Sequence, residues 1–206
     1  MSQYFRIHPD NPQPRLLRQA AEIIRKGGVA VYPTDSAYAI GCRIGDKLAL
    51  ERVIAIRELD AKHDFTLLCR DLSEISTYAA IDNRLFKLLK AHTPGAYTFI
   101  LPGTREVPKR LLHPRRKTIG LRVPDHSIAH GLLEQLDEPM LTTTMIFPDE
   151  DLPLTDPELI RDRVEKRVDL IIDGGFGGNE PTTVINLVGD APEVVRVGKG
   201  DPTPFQ

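Results

Sequence analysis

Three features of this 206-residue chain predict an α/β fold. Segments with helical apolar spacing alternate with short apolar runs of strand length, the order expected of helices packed on a sheet. Many of the 15 glycines and 17 prolines fall between those segments, where they end elements and make tight turns. The apolar run over residues 29–32 gives way at once to Pro33-Thr34-Asp35-Ser36. This places hydroxyls and a carboxylate just past a strand's end, where open α/β sheets bind ligands.

Taken in order, a first helix is predicted over 15–26, where Leu16, Leu17, Ala20, Ile23 and Ile24 share a face. Gly27 and Gly28 end it, because glycine takes the left-handed cap conformation without steric cost. A buried strand follows over 29–32 and stops at Pro33, which has no N–H for a ladder. Asp46 is an N-cap for a second helix to about residue 59, with Leu50, Val53, Ile54 and Arg57 roughly aligned. Residues 65–69 read as a strand, and Asp82 caps a helix to about residue 91. Strands are predicted over 97–101, 118–123 and 140–144, a helix over 127–136, and a short helix over 157–165. Strands over 168–172, 183–187 and 193–197 complete a strand-rich C-terminal part. No repeat, low-complexity tract or linker divides the chain, so residues 1–206 are read as one domain.

Hydrophobic residues make up 41% and charged residues 27%, ordinary for a soluble globular chain with a substantial core. No apolar run approaches the roughly 18 residues of a membrane helix, and residues 1–6 lack a signal-peptide pattern. Cys42 and Cys69 make no disulfide framework, and each sits where a buried thiol is expected. A cytoplasmic protein without a membrane partner is the expectation. The net charge of −2 does not advertise nucleic acid, so any basic surface must be local.

Asp173-Gly174-Gly175-Phe176-Gly177-Gly178-Asn179 follows a predicted strand, and such loops bring backbone N–H groups close to a phosphate. It lacks the lysine and the following helix of a Walker loop, so a turn beside the site is an equal reading. Lys109, Arg110, Arg115, Arg116 and Lys117 concentrate positive charge before a strand. Such a cluster neutralises nucleic-acid phosphates. Without interleaved aromatics it has no base-stacking platform, and a solvated basic edge is the competing reading. The six histidines show no metal-ligand spacing, so no permanently bound metal is expected. Asp35 and Ser36 are equally turn formers on their own chemistry.

The stretch from Gly27 through Val29-Ala30-Val31-Tyr32-Pro33-Thr34-Asp35-Ser36-Ala37-Tyr38, with Ile40-Gly41-Cys42 after it, resembles the N-terminal signature of the YrdC family. Thr93-Pro94-Gly95-Ala96-Tyr97-Thr98 is similar to that family's Pro-Gly-x-hydrophobic-Thr segment. Thr118-Ile119-Gly120-Leu121-Arg122-Val123-Pro124 is similar to its arginine-bearing strand, and Pro181-Thr182-Thr183-Val184-Ile185 and Arg196-Val197-Gly198 to its closing motifs. These matches occur in order over most of the chain, and within the family they resemble the YciO-type paralogues more than the synthases.

The resemblance implies a twisted, open, mixed sheet flanked by helices, with a concave basic cleft. The family's synthases make threonylcarbamoyl-AMP from threonine, bicarbonate and ATP, for modification of the tRNA adenosine beside the anticodon. Carried over by position, it implies Thr34, Ser36, Arg122, Thr142 and Thr182 as substrate-binding residues. It implies Arg57, Thr118, Thr144, Thr183 and Arg196 on the nucleotide side. Arg122 would receive a substrate carboxylate as a bidentate pair. ATP is then a substrate, accompanied by Mg2+, and the glycine-rich loop would position Thr182 and Thr183. The basic concave face of the family, implicated in RNA binding, favours double-stranded RNA or tRNA as a partner of the cluster from Lys109 to Lys117.

Two motifs depart from the synthase pattern. Lys-x-Arg-Pro is here Arg57-Glu58-Leu59-Asp60, and Ser-Thr-Ser-Ala-Asn is Thr142-Thr143-Thr144-Met145-Ile146. Arg57 keeps one cation, Leu59 removes the second, and Ile146 cannot make the hydrogen bonds of asparagine. Each loss is worth on the order of a few kcal/mol of transition-state binding. Lys62 and His63 just downstream are candidate replacements. The expected function is a pocket for ATP or AMP and a threonine-like or carbamoylated ligand. Its activity would be weak or altered threonylcarbamoyl-AMP synthesis, or hydrolysis of ATP or the adenylate. The alternatives are an RNA-binding protein with a vestigial pocket, and a full synthase in tRNA modification.

Overall fold

The computed structural model describes residues 2–60 and 63–206, so Lys62 lies outside the described residues. The chain runs β1 (Gln3–Arg6), α1 (Pro14–Arg25), β2 (Ala30–Tyr32), β3 (Ala39–Arg43), α2 (Lys47–Arg57) and β4 (Thr66–Leu68). It continues through α3 (Leu72–Tyr78), α4 (Asn83–His92), β5 (Tyr97–Pro102), β6 (Thr118–Arg122), α5 (Ser127–Leu136) and β7 (Met140–Thr144). It ends with α6 (Pro157–Val164), β8 (Leu170–Asp173), β9 (Thr183–Asn186), β10 (Glu193–Arg196) and a 3-10 turn at Thr203–Phe205.

Side-chain caps set most of the helix starts. Asp46, Asp71, Asp82 and Asp156 accept the backbone N–H groups of Ala49, Glu74, Leu85 and Glu158, satisfying donors that the first turn leaves unpaired. Helix α2 stops at Arg57, two residues short of expectation, because Glu58 swings into the left-handed region at φ 50°. After α1, Gly27 takes φ 88°, whereas Gly28 is required for another reason. A Cβ at Gly28 would lie 2.6 Å from the Ile23 carbonyl oxygen.

All ten described strands join one sheet, in the order β1-β8-β2-β3-β7-β4-β6-β5-β9-β10. Pairs such as β4–β6 and β5–β9 are parallel, while β3–β7 and β5–β6 are antiparallel, so the sheet is mixed, as expected. Sequence reading overlooked β1, β3 and α3. Strand β1 is a four-residue edge with no continuous apolar run. In β3, Ala39 and Gly41 carry little strand propensity, yet a Cβ at Gly41 would meet the Leu141 carbonyl at 2.4 Å. Close strand approach, invisible locally, selects that glycine.

Helices α1 and α5 pack together on part of one face, where Leu17, Ala20, Ile24, Leu132 and Leu133 meet Ala30, Tyr32, Leu68 and Met140. The opposite face carries the larger core, in which Leu50, Val53, Ile75, Leu89 and Ile160 cover Ile40, Leu67, Phe99, Leu121 and Ile171. Among the described residues no helix is long and apolar enough to cross a membrane.

Candidate functional site

Successive strand residues point to opposite faces, and that alternation builds the site. Phe99, Leu121, Leu141 and Ile185 enter the large core. Their neighbours Thr98, Ile100, Gly120, Arg122, Thr142, Thr182 and Val184 line a cavity of about 420 Å³. Thr66 of β4 and Ala39 of β3 complete its floor, registered against Thr142 and Thr144 respectively. Leu68 and Met140, two residues along from Thr66 and Thr142, lie under α1 and α5. The cavity is therefore the stretch of that face which these two helices leave uncovered. Its size suits a small-molecule site.

Hydroxyls dominate the lining, and most are already bonded within the protein. The Tyr32 phenol donates to Thr142 Oγ1 at 2.7 Å, and the hydroxyls of Thr98 and Thr182 lie 2.8 Å apart. Thr34 Oγ1 donates to the Ala37 carbonyl at 2.6 Å and sits 3.2 Å from Ser36 Oγ. Thr34 thus shapes the loop behind Ser36, which itself faces the cavity.

Arg122 lies at the end of β6 and is buried. One Nη donates to Asp35 Oδ1 and approaches Thr34 Oγ1 at 3.4 Å. Lys199 donates to the Asp35 backbone carbonyl. Arg122 Nε and Asp35 Oδ2 remain buried without a partner, a costly condition that a bound polar ligand would relieve. Asp35 belongs to the motif around Thr34, and only the fold brings it to a residue 87 positions away.

Arg196 reaches back from β10, donating to the Thr182 carbonyl at 3.2 and 2.8 Å and approaching Thr182 Oγ1 at 3.3 Å. Arg57, at the end of α2, is half-buried with its Nε unpartnered. Burial alone pushes the Arg57 pKa down to about 10 and lowers that of Arg196. Among the described residues no carboxylate offsets either cation, which is the electrostatic state of an anion site. His63 lines the cavity beside them. Burial, and then the charge of Arg57, hold its imidazole below the ordinary histidine pKa.

Ser36, Arg122, Thr142, Thr144, Thr182 and Arg196 therefore converge on one cavity. Thr34 and Arg57 are not in its lining: Thr34 bonds to Ser36, and the charge of Arg57 acts on His63. Thr118 shares the strand face of Gly120 and Arg122 but is sealed in, its hydroxyl unpartnered. Thr183 differs from expectation: it points to the opposite face, where its hydroxyl accepts from Gly198 N–H at 2.9 Å and donates to the Gly200 carbonyl. His63, a candidate replacement for the lost cation, lines the cavity, and so do Thr66 and Thr98, which the motifs do not single out although Thr98 alternates with core-facing Phe99.

The glycine-rich loop does not present its amides to the cavity. Gly174 N–H donates to Tyr38 Oη at 3.1 Å, Gly175 N–H to Asp173 Oδ1 at 2.8 Å, and Gly177 N–H to the Thr155 carbonyl at 2.8 Å. Asn179 bridges to Ala37, and a Cβ at Gly178 would lie 2.0 Å from the Ser36 carbonyl. The loop braces residues 36–38 rather than cradling a phosphate or positioning Thr183. In the basic segment, Lys109 and Arg115 are exposed. Arg116 pairs with the cavity-lining Asp64 at 3.2 Å. Lys117 donates to its own loop at the Pro114 carbonyl, and Arg110 to the Gly45 carbonyl beyond the far end of β3.

A mixed sheet with one half-face left open, and two guanidiniums, Arg122 and Arg196, among hydroxyls in that opening, defines an α/β protein with a polar cavity. The Sua5/YciO/YrdC family model, described as telomere recombination, matches residues 22–198, and the chain belongs to that family. It is 62% identical over 205 residues to the uncharacterized protein YciO of Escherichia coli strain K12, across the full length of both. The crystal structure of E. coli YciO matches with a TM-score of 0.97 over all of both chains. The threonylcarbamoyl-AMP synthase of Idiomarina loihiensis is 30% identical over 173 residues, 82% of this chain and 91% of that one. The P. abyssi Sua5 structure complexed with L-threonine matches in fold, with a TM-score of 0.88 at 24% identity, over 96% of this chain and 58% of that one.

Proposed function

We propose that the cavity binds a nucleotide, ATP or AMP, together with a threonine-like or carbamoylated acid, and carries out weak or altered threonylcarbamoyl-AMP chemistry. The observation that carries this reading is the convergence of Arg122, Arg196 and the hydroxyls of Ser36, Thr142 and Thr182 on one cavity. Arg122 offers a guanidinium to a carboxylate, and Arg196 and Arg57 offer uncompensated positive charge to phosphates. The family relationship to a threonylcarbamoyl-AMP synthase and the fold shared with a threonine-bound Sua5 support the ligand class. Leu59 and Ile146 in place of a cation and an amide support weak synthesis rather than full synthase activity.

Calorimetry with AMP, ATP and threonine on wild type and Arg122→Ala tests it. Wild type binds nucleotide and threonine; the variant loses threonine while retaining AMP. Equal threonine affinity for the two proteins overturns the assignment of Arg122.

A second reading, binding of double-stranded RNA or tRNA phosphates along the segment from Lys109 to Lys117, is favoured by one contact. Arg116 sits on Asp64 at the cavity lining, which makes part of the basic segment continuous with the rim.

A further inference from the structure

The β4 side of the cavity holds a group that the reading above leaves without a role. We propose that His63 is the general base of a hydrolytic reaction in this cavity, taking the proton of a water that attacks the carbonyl carbon of an acyl-adenylate. This inference rests on the nucleotide-and-acid reading of the same cavity and adds the direction of its chemistry.

The geometry that carries it is the position of the ring. His63 lines the cavity, stands edge-on to Phe65 at 5.3 Å between centroids, and turns Nε2 toward Thr143 Oγ1 at 3.4 Å. With Nε2–H donating to Thr143 Oγ1 the ring is oriented, and Nδ1 carries the lone pair that can take a proton. The other titratable groups in the lining suit the task less well. Arg122 and Arg196 carry no available lone pair. Asp64 is ion-paired to Arg116, and Asp60 is an exposed carboxylate. The Tyr38 hydroxyl donates to the Gly175 carbonyl at 2.7 Å.

The charged groups facing the ring are Arg57 from the end of α2 and Asp60 and Asp64 from its own loop; Thr143 faces it from β7. Burial and Arg57 outweigh the two carboxylates, so the imidazole is neutral, and able to accept a proton, at neutral pH. In the step itself the water oxygen bonds to the acyl carbon as its proton passes to His63 Nδ1. The bond from that carbon to the phosphate oxygen breaks, and AMP leaves with the electron pair. The products are AMP and the N-carboxy (carbamate) form of the amino acid, and the ring returns its proton to solvent. Synthesis must stabilise a departing pyrophosphate, for which the cation replaced by Leu59 matters. Hydrolysis of the adenylate has AMP rather than pyrophosphate as its leaving group, and the charges of Arg57 and Arg196 match that smaller demand.

The test measures AMP release from threonylcarbamoyl-AMP, and AMP binding by calorimetry, for wild type, His63→Gln and His63→Ala proteins that retain cooperative unfolding. Wild type releases AMP at a rate that rises with pH through a pKa below the ordinary histidine value and then levels. Both variants bind AMP as wild type does, lose about 100-fold or more in rate, and lose the rise with pH. Added imidazole restores part of the rate to His63→Ala but not to His63→Gln. A His63→Gln protein with the wild-type rate and profile overturns the proposal. A wild type that binds AMP but releases none from the adenylate also overturns it, leaving the binding reading intact. Absence of any nucleotide binding overturns both.

Discussion

Arg122 and Asp35 bury opposite charges against one another and still leave Nε and Oδ2 without partners. Taking both charges out of water is expensive and is repaid only when the remaining polar atoms are satisfied. On the proposed reading Asp35 occupies the guanidinium that a ligand carboxylate would need, so the two would compete. Asp35→Asn should therefore bind a threonine-like carboxylate more tightly, about tenfold if roughly 1.4 kcal/mol of competition is relieved. The same protein should melt at a lower temperature than wild type, because Arg122 has lost its counter-charge. Calorimetry paired with a thermal melt reads both changes. Unchanged affinity would place the ligand on a part of the guanidinium that Asp35 does not use.

At the scale of elements, two segment ends decide what the cavity lacks. Helix α2 ends at Arg57, and Leu59 just beyond it packs against the large core instead of supplying a second cation. Strand β7 ends at the cavity-lining Thr144, and Ile146 beyond it is outside the lining. If the missing cation and amide account for weak synthesis, Leu59→Arg with Ile146→Asn should raise threonine-dependent pyrophosphate release above the wild-type rate. The gain should need both changes, since the two groups act on one transition state. Leu59→Arg alone should lower stability by about 1–3 kcal/mol, the usual range for a disturbed core contact. A folded double variant no faster than wild type would move the explanation away from these two ends.

Over the whole molecule the charge is nearly balanced, at −2, so any nucleic-acid surface is a local one. The basic segment is divided in its use: Arg110 is tied beyond the far end of β3, Arg116 to Asp64, and Lys117 to its own loop. If the segment binds RNA, neutralising Arg115, Arg116 and Lys117 together should weaken retention of double-stranded RNA and flatten its salt dependence, with little effect of sequence. Retention unchanged by that triple substitution would leave a solvated edge.

The helices with apolar stripes and aspartate caps, α2 and α4 above all, were legible because a stripe and a cap involve residues a few positions apart. The mixed α/β class was legible for the same reason, together with the ordered motifs around Thr34, Arg122, Thr182 and Arg196. Strand β3 was not, because its Gly41 is selected by the backbone of β7, about a hundred residues away. Nor was the reversal of Thr183, whose facing follows from its pairing with Tyr97. His63 against Thr143 and Asp35 against Arg122 meet across 80 and 87 residues. Neighbouring residues were enough to place most of the helices and strands and the motifs they carry, with β1, β3 and α3 as the exceptions. Strand order, the uncovered half-face and the membership of the cavity came from the folded chain, because non-local hydrogen bonding and packing choose which distant residues share one space.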